Sequence, residues 1–301
     1  MLAKNATIFT FSGLTPEKLN AAISMRTFIP CTQADFSSVG FVPPIEGKDE
    51  LERNIGNIAA IMLRVDQKII PASLVKEETK LRAKKFEEIQ GCPVGRKQER
   101  EIKDAVIIEL LAKAFVKTEY VRAWVDFNTN LLVVNTSNQS KADWLISALL
   151  KHADWDVEII KWRTNQNPSA NFTNWLGNDD CPHGFTIDDR AVLTNPDGGK
   201  VRITKENICE DEFRDLLRAR NCIELALTHN DKLSFVLTGK LVLKNINHIG
   251  IEERDPDHMD MLKEERIDAE IILNANAVRD AFSGINSVLG GAVKLEESET
   301  A

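Results

Sequence analysis

Apolar and polar positions along this chain switch between a period of two and a period near 3.6, and the switches mark out its elements. Residues 5–11, NATIFTF, alternate and predict a strand. Thr15-Pro16-Glu17 reads as a helix start with proline at the first position, and 17–26 continue as a short amphipathic helix. GFVPP at 40–44 stops any helix, the apolar run IAAIMLRV at 58–65 predicts a buried strand, and Pro71 closes this unit.

From Ser73 to Gln90, Leu74, Val75, Leu81, Phe86 and Ile89 fall within about half of a helical circumference, while Lys76, Lys80 and Lys84 recur every four residues on the other side. Gly91, Pro93 and Gly95 make a turn. A second helix, from about Gln98 to Lys117, returns with Arg96, Arg100 and Lys103 near its beginning on one side. The pair predicts an αα-hairpin inserted into the surrounding unit. Its second half, IKDAVIIELLAKAF at 102–115, is apolar nearly all round, and a helix with no polar face must be buried or meet a partner.

VRAWVDF and LLVVNTS then flank Asn128-Thr129-Asn130 as a hairpin, KADWLISALLKHA (141–153) is an amphipathic helix, and WDVEIIKW is strand-like. Residues 1–71 and 121–165 thus predict one α+β domain interrupted by a helical hairpin at 72–120. The polar run 164–182, with a short apolar segment at Phe172 and Trp175, predicts a boundary before a second α+β domain, 166–301. That domain should contain strands near 184–188 and 200–204 joined by Asp197-Gly198-Gly199, and a helix from about Glu210 to Ala219. A meander of IELALTH, KLSFVLT and KLVLKNI follows, and then a helix over roughly 258–288 ending at Gly290-Gly291.

Charge changes this picture more than composition does. The chain has 301 residues, 43% hydrophobic content and a formal net charge of −8. Residues 250–301 carry 13 acidic and five basic side chains, so the excess lies wholly in the C-terminal region. The window Lys76–Lys103 holds nine Lys or Arg against six Asp or Glu. Phosphate binding answers to local potential within a Debye length of about 8 Å, so an acidic terminus does not exclude a basic surface elsewhere. There is no apolar run of about 18 residues for a membrane span and no signal-peptide pattern at the start, which predicts a cytoplasmic protein. Five scattered cysteines with no C-x-x-C predict reduced structural thiols.

No signature of a hydrolase, a dinucleotide fold or a P-loop occurs, so no enzyme and no cofactor are expected. Asp255, Asp257, His258 and Asp260 could ligate a metal, but acids at a helix start account for them without one. Asp179-Asp180-Cys181-Pro182-His183 reads as a loop rather than a catalytic pair, and Asp197-Gly198-Gly199-Lys200 as a hairpin turn. The Lys76/Lys80/Lys84 stripe could be a solvated face paired with Glu77 and Glu87. Arg202 and Lys205 read as ordinary strand-end charges, although Lys205 lies just ahead of a helix start that also favours phosphate, with Glu206 beside it working against that.

Taken in order, GFVPP (40–44), KIIPASLVKEE (68–78), RKQEREIKD (96–104), LLAKAF (110–115), WVDF with LLVV (124–134) and KAD (141–143) resemble the recombination-associated RdgC family. The likeness continues more weakly through HGF (183–185) and DGGKVR (197–202). It implies a nucleoid-associated, non-enzymatic, duplex-DNA-binding protein of little sequence preference that restrains RecA-type recombinases. It also implies a ring-shaped homodimer of horseshoe subunits, each with a centre (1–71 and 121–165), a tip (72–120) and a base (166–301). On this likeness Phe115 and Lys113 make the tip-to-tip dimer contact, and Lys205 with Arg202 lies on a DNA-facing finger where Glu206 replaces the family's glutamine. Lys76, Lys80, Lys84, Arg96, Arg100, Lys103, Arg202 and Lys205 are the candidate DNA-binding residues. An alternative reading is a protein-binding regulator that docks through its apolar tip and uses its acidic C-terminal region to mimic nucleic acid. A metal-dependent nuclease built on Asp255–Asp260 is a third.

Overall fold

The computed structural model describes residues 3–153, 156–178, 180–204, 216–250 and 263–293. Twelve strands and six helices lie within them, an α+β arrangement. The strands are β1 (Asn5–Ser12), β2 (Ser37–Val42), β3 (Glu52–Ile55), β4 (Ile58–Ile69), β5 (Phe115–Asp126) and β6 (Leu131–Val134). They continue with β7 (Glu158–Lys161), β8 (Phe185–Thr194), β9 (Lys200–Thr204), β10 (Asn221–His229), β11 (Leu233–Thr238) and β12 (Val242–His248). The helices are α1 (Pro16–Ser24), α2 (Ala72–Gln90), α3 (Arg96–Lys113), α4 (Gln139–Leu150), α5 (Pro168–Asn178) and α6 (Lys263–Val288).

All strands join one sheet in the order β2-β4-β5-β6-β1-β12-β11-β10-β8-β9, with β3 on β4 and β7 on β1. Every strand pairing is antiparallel. The pivot is β1. One of its edges pairs with β6; the other is divided, with Asn5–Thr7 taken by β12 and Phe9–Ser12 by β7. Successive side chains of a strand point to opposite faces, so β1 feeds two cores. Phe9 and Phe11 join Leu19 and Ile23 of α1 and Leu145 and Leu149 of α4 on one face. Ile8 joins Phe172 of α5 and Val278 and Ile285 of α6 on the other.

Helix starts follow from local chemistry. The Thr15 side chain accepts from the Lys18 N–H with Pro16 in the first turn, and Asn138 caps α4 through the Lys141 N–H. Gly40 is required where it stands, because a Cβ there would lie 2.4 Å from the Phe28 Cα in the crossing segment.

Helix α6 straps the sheet along its length. Glu264 pairs with Lys48 at 2.7 Å, Asp268 with the Arg53 Nε at 2.9 Å, and Arg279 with Asp126 at 2.6 Å. Asn274 Oδ1 accepts from the Ala3 N–H at 2.9 Å and from His248 Nε2 at 3.2 Å, tying the segment just before β1 and the end of β12 to the helix. Gly284 lets α6 approach β10, since a Cβ there would fall 2.6 Å from His229 Nε2.

Burial holds both His229 and His248 below the ordinary histidine value. The unfolded chain therefore binds protons more readily than the folded one, and stability is lost as pH falls below about 6.5. Urea midpoints should drop between pH 7 and pH 5. His248→Gln, which keeps a donor for Asn274, should flatten part of that slope; an unchanged slope would remove His248 from the effect.

The predicted strands at 5–11 and 58–65, the hairpin around 128–130, the helix after 141, the strand in WDVEIIKW and the C-terminal meander are all present. Asp197-Gly198-Gly199 closes the β8–β9 hairpin, with the Gly198 N–H on the Asn195 carbonyl and Gly198 at φ 86°. One expectation is corrected and two are filled in. The second helix of the hairpin stops at Lys113, not near Lys117, because Ala114 turns extended at ψ 140° and Phe115 starts a twelve-residue strand paired along β4. The apolar segment at Phe172 and Trp175 within the polar run 164–182 is a helix, α5, which buries Phe172, Trp175 and Leu176. GFVPP, read only as a helix stop, lies partly in β2, whose Ser37–Val42 pair with β4. The 210–219 helix assignment falls largely on residues outside the described ones.

Candidate nucleic-acid interface

The α2–α3 hairpin holds itself together with a small core of Val75, Ile102 and Val106, backed by Ala83, Val94 and Leu110. Gly91 caps α2 in the left-handed region at φ 70°, and the Glu87 carboxylate accepts from the Val94 N–H at 3.0 Å to shape the turn. Lys68, at the end of β4, secures the other end. Its ammonium donates to the Leu111 carbonyl at 3.0 Å and to the Thr32 and Gln33 carbonyls at 2.6 and 3.0 Å. A cation on the last turn of α3 also meets the negative end of the helix dipole.

Helical phase then places the cations. At about 100° per residue, Lys76, Lys80 and Lys84 lie about a quarter turn or more beyond the α3-facing Val75 and Thr79. Arg96, Arg100 and Lys103 lie roughly a third of a turn beyond Ile102 and Val106. Because the helices are antiparallel, both offsets fall on the same side of the hairpin. Arg82 and Glu109 pair on the opposite side. All six cations are exposed, and among the described residues none forms an ion pair within 4 Å. The anticipated pairing with Glu77 and Glu87 is not made, since Glu87 serves the turn.

Phe115 stands 87% exposed at the root of the hairpin, directly opposite Ile69 on β4. Ile69, Val116, Ile108 and Phe36 are also exposed, and Lys113 ends α3 beside them. The apolar surface expected from the 102–115 pattern therefore divides. Ile102, Val106 and Leu111 are buried within the chain, while Ile108 and Phe115 remain uncovered. Ile69 and Phe36 were missed by the pattern, because one ends a strand and the other lies in a polar loop.

Arg202 lies on β9, the last strand of the sheet. Its neighbour Ile203 is buried in the α5–α6 core, so alternation sends Arg202 to the other face. Lys205 and Glu206 lie outside the described residues, as do Asp255, Asp257, His258 and Asp260. Among the described residues, no three His, Cys, Asp or Glu side chains gather closely enough to hold a metal ion. No described helix is long and apolar enough to cross a membrane. A second convergence of cations, Lys161, Arg163 and Lys240, joins segments distant in sequence that no motif marked.

The family model described as "Putative exonuclease, RdgC" matches residues 1–292 of this chain. The chain belongs to the RdgC family. Its relatives include the "Recombination-associated protein RdgC" of Cupriavidus necator, 31% identical over 300 residues, covering 98% of this chain and all of the relative. The protein of the same name from Janthinobacterium sp. (strain Marseille) is 31% identical, over 98% of this chain and 99% of its own. That of Burkholderia ambifaria is 31% identical over 282 residues, 93% of this chain and 92% of its own. The RdgC family model thus carries a nuclease in its description, whereas the RdgC relatives are named for recombination.

Proposed function

We propose that this chain is a sequence-tolerant double-stranded-DNA-binding protein that forms a homodimeric ring and limits the access of RecA-type recombinases by occupying duplex, without catalysing a reaction. Each horseshoe subunit has a centre (1–71 and 121–165), a tip (72–120) and a base (166–301). The tips meet through Phe115 and Lys113, and the protein works in the cytoplasm on the nucleoid. The observation that carries this reading is the single-sided set of six exposed cations on the α2–α3 hairpin with no carboxylate partner among the described residues. Lys and Arg in such a row neutralise phosphates and release counterions, and contacts of this kind position a protein without reading bases. The recombination-linked names of the relatives agree with it.

A gel shift with random-sequence duplex across a salt series tests it. Log affinity should fall linearly with log salt, by about 0.9 per phosphate neutralised, and equally for unrelated sequences. A flat response, or magnesium-dependent shortening of the duplex, would sink this reading in favour of the regulator or the nuclease.

The apolar rim supplies the contact between copies. Phe115 is already exposed, so Phe115→Ala should leave the subunit folded. A buried aromatic anchor removed from both sides of a two-fold contact should raise the dimer dissociation constant by at least about a hundredfold. Sedimentation velocity measures this, and an unchanged constant would take Phe115 out of the interface.

A further inference from the structure

Away from the tip, a cleft of about 480 Å³ opens where β7 runs toward α5, beside the β11–β12 turn. Lys161, Arg163 and Lys240 reach its wall together with Asn165, Gln166 and Asn167, and among the described residues no Asp or Glu lines it. Lys161 donates to Gln139 Oε1 at 2.5 Å, and Gln139 in turn donates to Asp143 at 2.7 Å, so the Asp143 carboxylate is hydrogen-bonded to the amide and not to the ammonium. Arg163 and Lys240 form no ion pair among the described residues.

The walls are held in place. Trp162 Nε1 donates to Asn286 at 2.9 Å, Asn165 Nδ2 to the Gly290 carbonyl at 2.8 Å, and Thr164 Oγ1 to the Gln166 carbonyl at 2.9 Å. Gly239 presses so closely on α5 that a Cβ would sit 2.2 Å from Ser169 Oγ.

Lys161 and Lys240 repel each other across the cleft, and Arg163 adds a third positive charge to its lining. Burial, and then the Lys240 ammonium, hold the Lys161 ammonium below its ordinary value, with Asp143 acting the other way. Lys240 sits exposed in a turn, where packing makes no demand for a cation. An anion in the cleft would offset that repulsion. Ammonium and guanidinium groups around a cavity within the small-ligand range suit phosphate oxygens, and the neighbouring amides can donate to a sugar or base.

We propose that this cleft is a second phosphate site, sharing no residue with the tip, that takes the phosphate of a nucleotide either within a nucleic-acid strand or free in solution. The strand-borne form rests on the duplex-binding reading above; the free form does not.

The test compares the full chain with its Arg163→Gln/Lys240→Gln variant, titrated by calorimetry with adenosine 5′-monophosphate and by gel shift with random duplex over a salt series. Binding of one nucleotide per subunit, weakened about tenfold or more in the variant, assigns the site to free nucleotide. No nucleotide binding, with the duplex salt slope reduced by about 1.8 in the variant, assigns it to the strand. If the variant matches the wild type in both titrations, the proposal is overturned. Should the wild type fail to bind duplex at all, the function proposed above falls, and nucleotide titration alone still decides this site. Thermal melting checks the variant's fold, and Lys240→Gln alone, an exposed turn substitution, replaces it if the double variant is unstable.

Discussion

Arg279→Ala is expected to lower the unfolding free energy by about 3 kcal/mol, the largest effect of any single exchange considered. The guanidinium of α6 lies 2.6 and 2.7 Å from Asp126 Oδ2, and the Asp126 side chain is only 2% exposed. Without Arg279 that carboxylate keeps the Asn128 N–H at 3.0 Å and the Thr129 hydroxyl at 2.8 Å, but its buried charge loses its counterion. The two remaining hydrogen bonds keep the cost toward the lower end of the range for a broken buried pair. The Arg53–Asp268 pair on the same helix offers an internal comparison. Both of its side chains are partly exposed, at 36% and 23%, so Arg53→Ala should cost about 1 kcal/mol or less. Urea unfolding at constant slope measures both; equal costs would show that burial of Asp126 does not set the difference.

Charge reversal of the α2 stripe, Lys76→Glu with Lys80→Glu and Lys84→Glu, is expected to have the largest effect on binding. Three lost phosphate neutralisations should reduce the salt slope by about 2.7, which corresponds to roughly several-hundred-fold weaker binding at 0.1 M salt relative to a 1 M reference. Because backbone contacts carry no base information, the loss should be the same on unrelated duplex sequences. The three lysines are exposed, and among the described residues they make no ion pairs, so folding should be unaffected. A gel shift that detects no change would return the stripe to an ordinary solvated face.

Local chemistry was legible in the chain wherever an element's own residues decide its shape. Thr15-Pro16 announced α1, the turn of Gly91, Pro93 and Gly95 announced the hairpin, and the four-residue spacing of Lys76, Lys80 and Lys84 announced the stripe. The chain also carries a signal for α5: Asn167 followed by Pro168 is a cap and a first helical residue, and Asn167 Oδ1 accepts from the Ser169 N–H. Phe115 was misplaced because helical periodicity runs through it locally. Val116, Thr118 and Tyr120 favour a strand, and pairing with β4 from Ile69 onward overrides the helix.

The remaining features depend on partners far away in the chain. The division of β1 between β7 and β12 needs registers that no window reveals, and β3, with the sequence ERNI, has no apolar alternation to betray it. Nothing local in KIIPASLVKEE marks Lys68, which fastens α3 to the loop at 32–33. Lys161, Arg163 and Lys240 converge only through the docking of α5 against the β11–β12 turn.

Retention on closed-circular duplex after a high-salt wash tests the encircling dimer most directly, because salt removes counterion-driven contacts but cannot open a closed ring. The protein should stay on the intact circle and leave once the circle is cut at a single site. Equal release from circular and linear DNA would contradict the account.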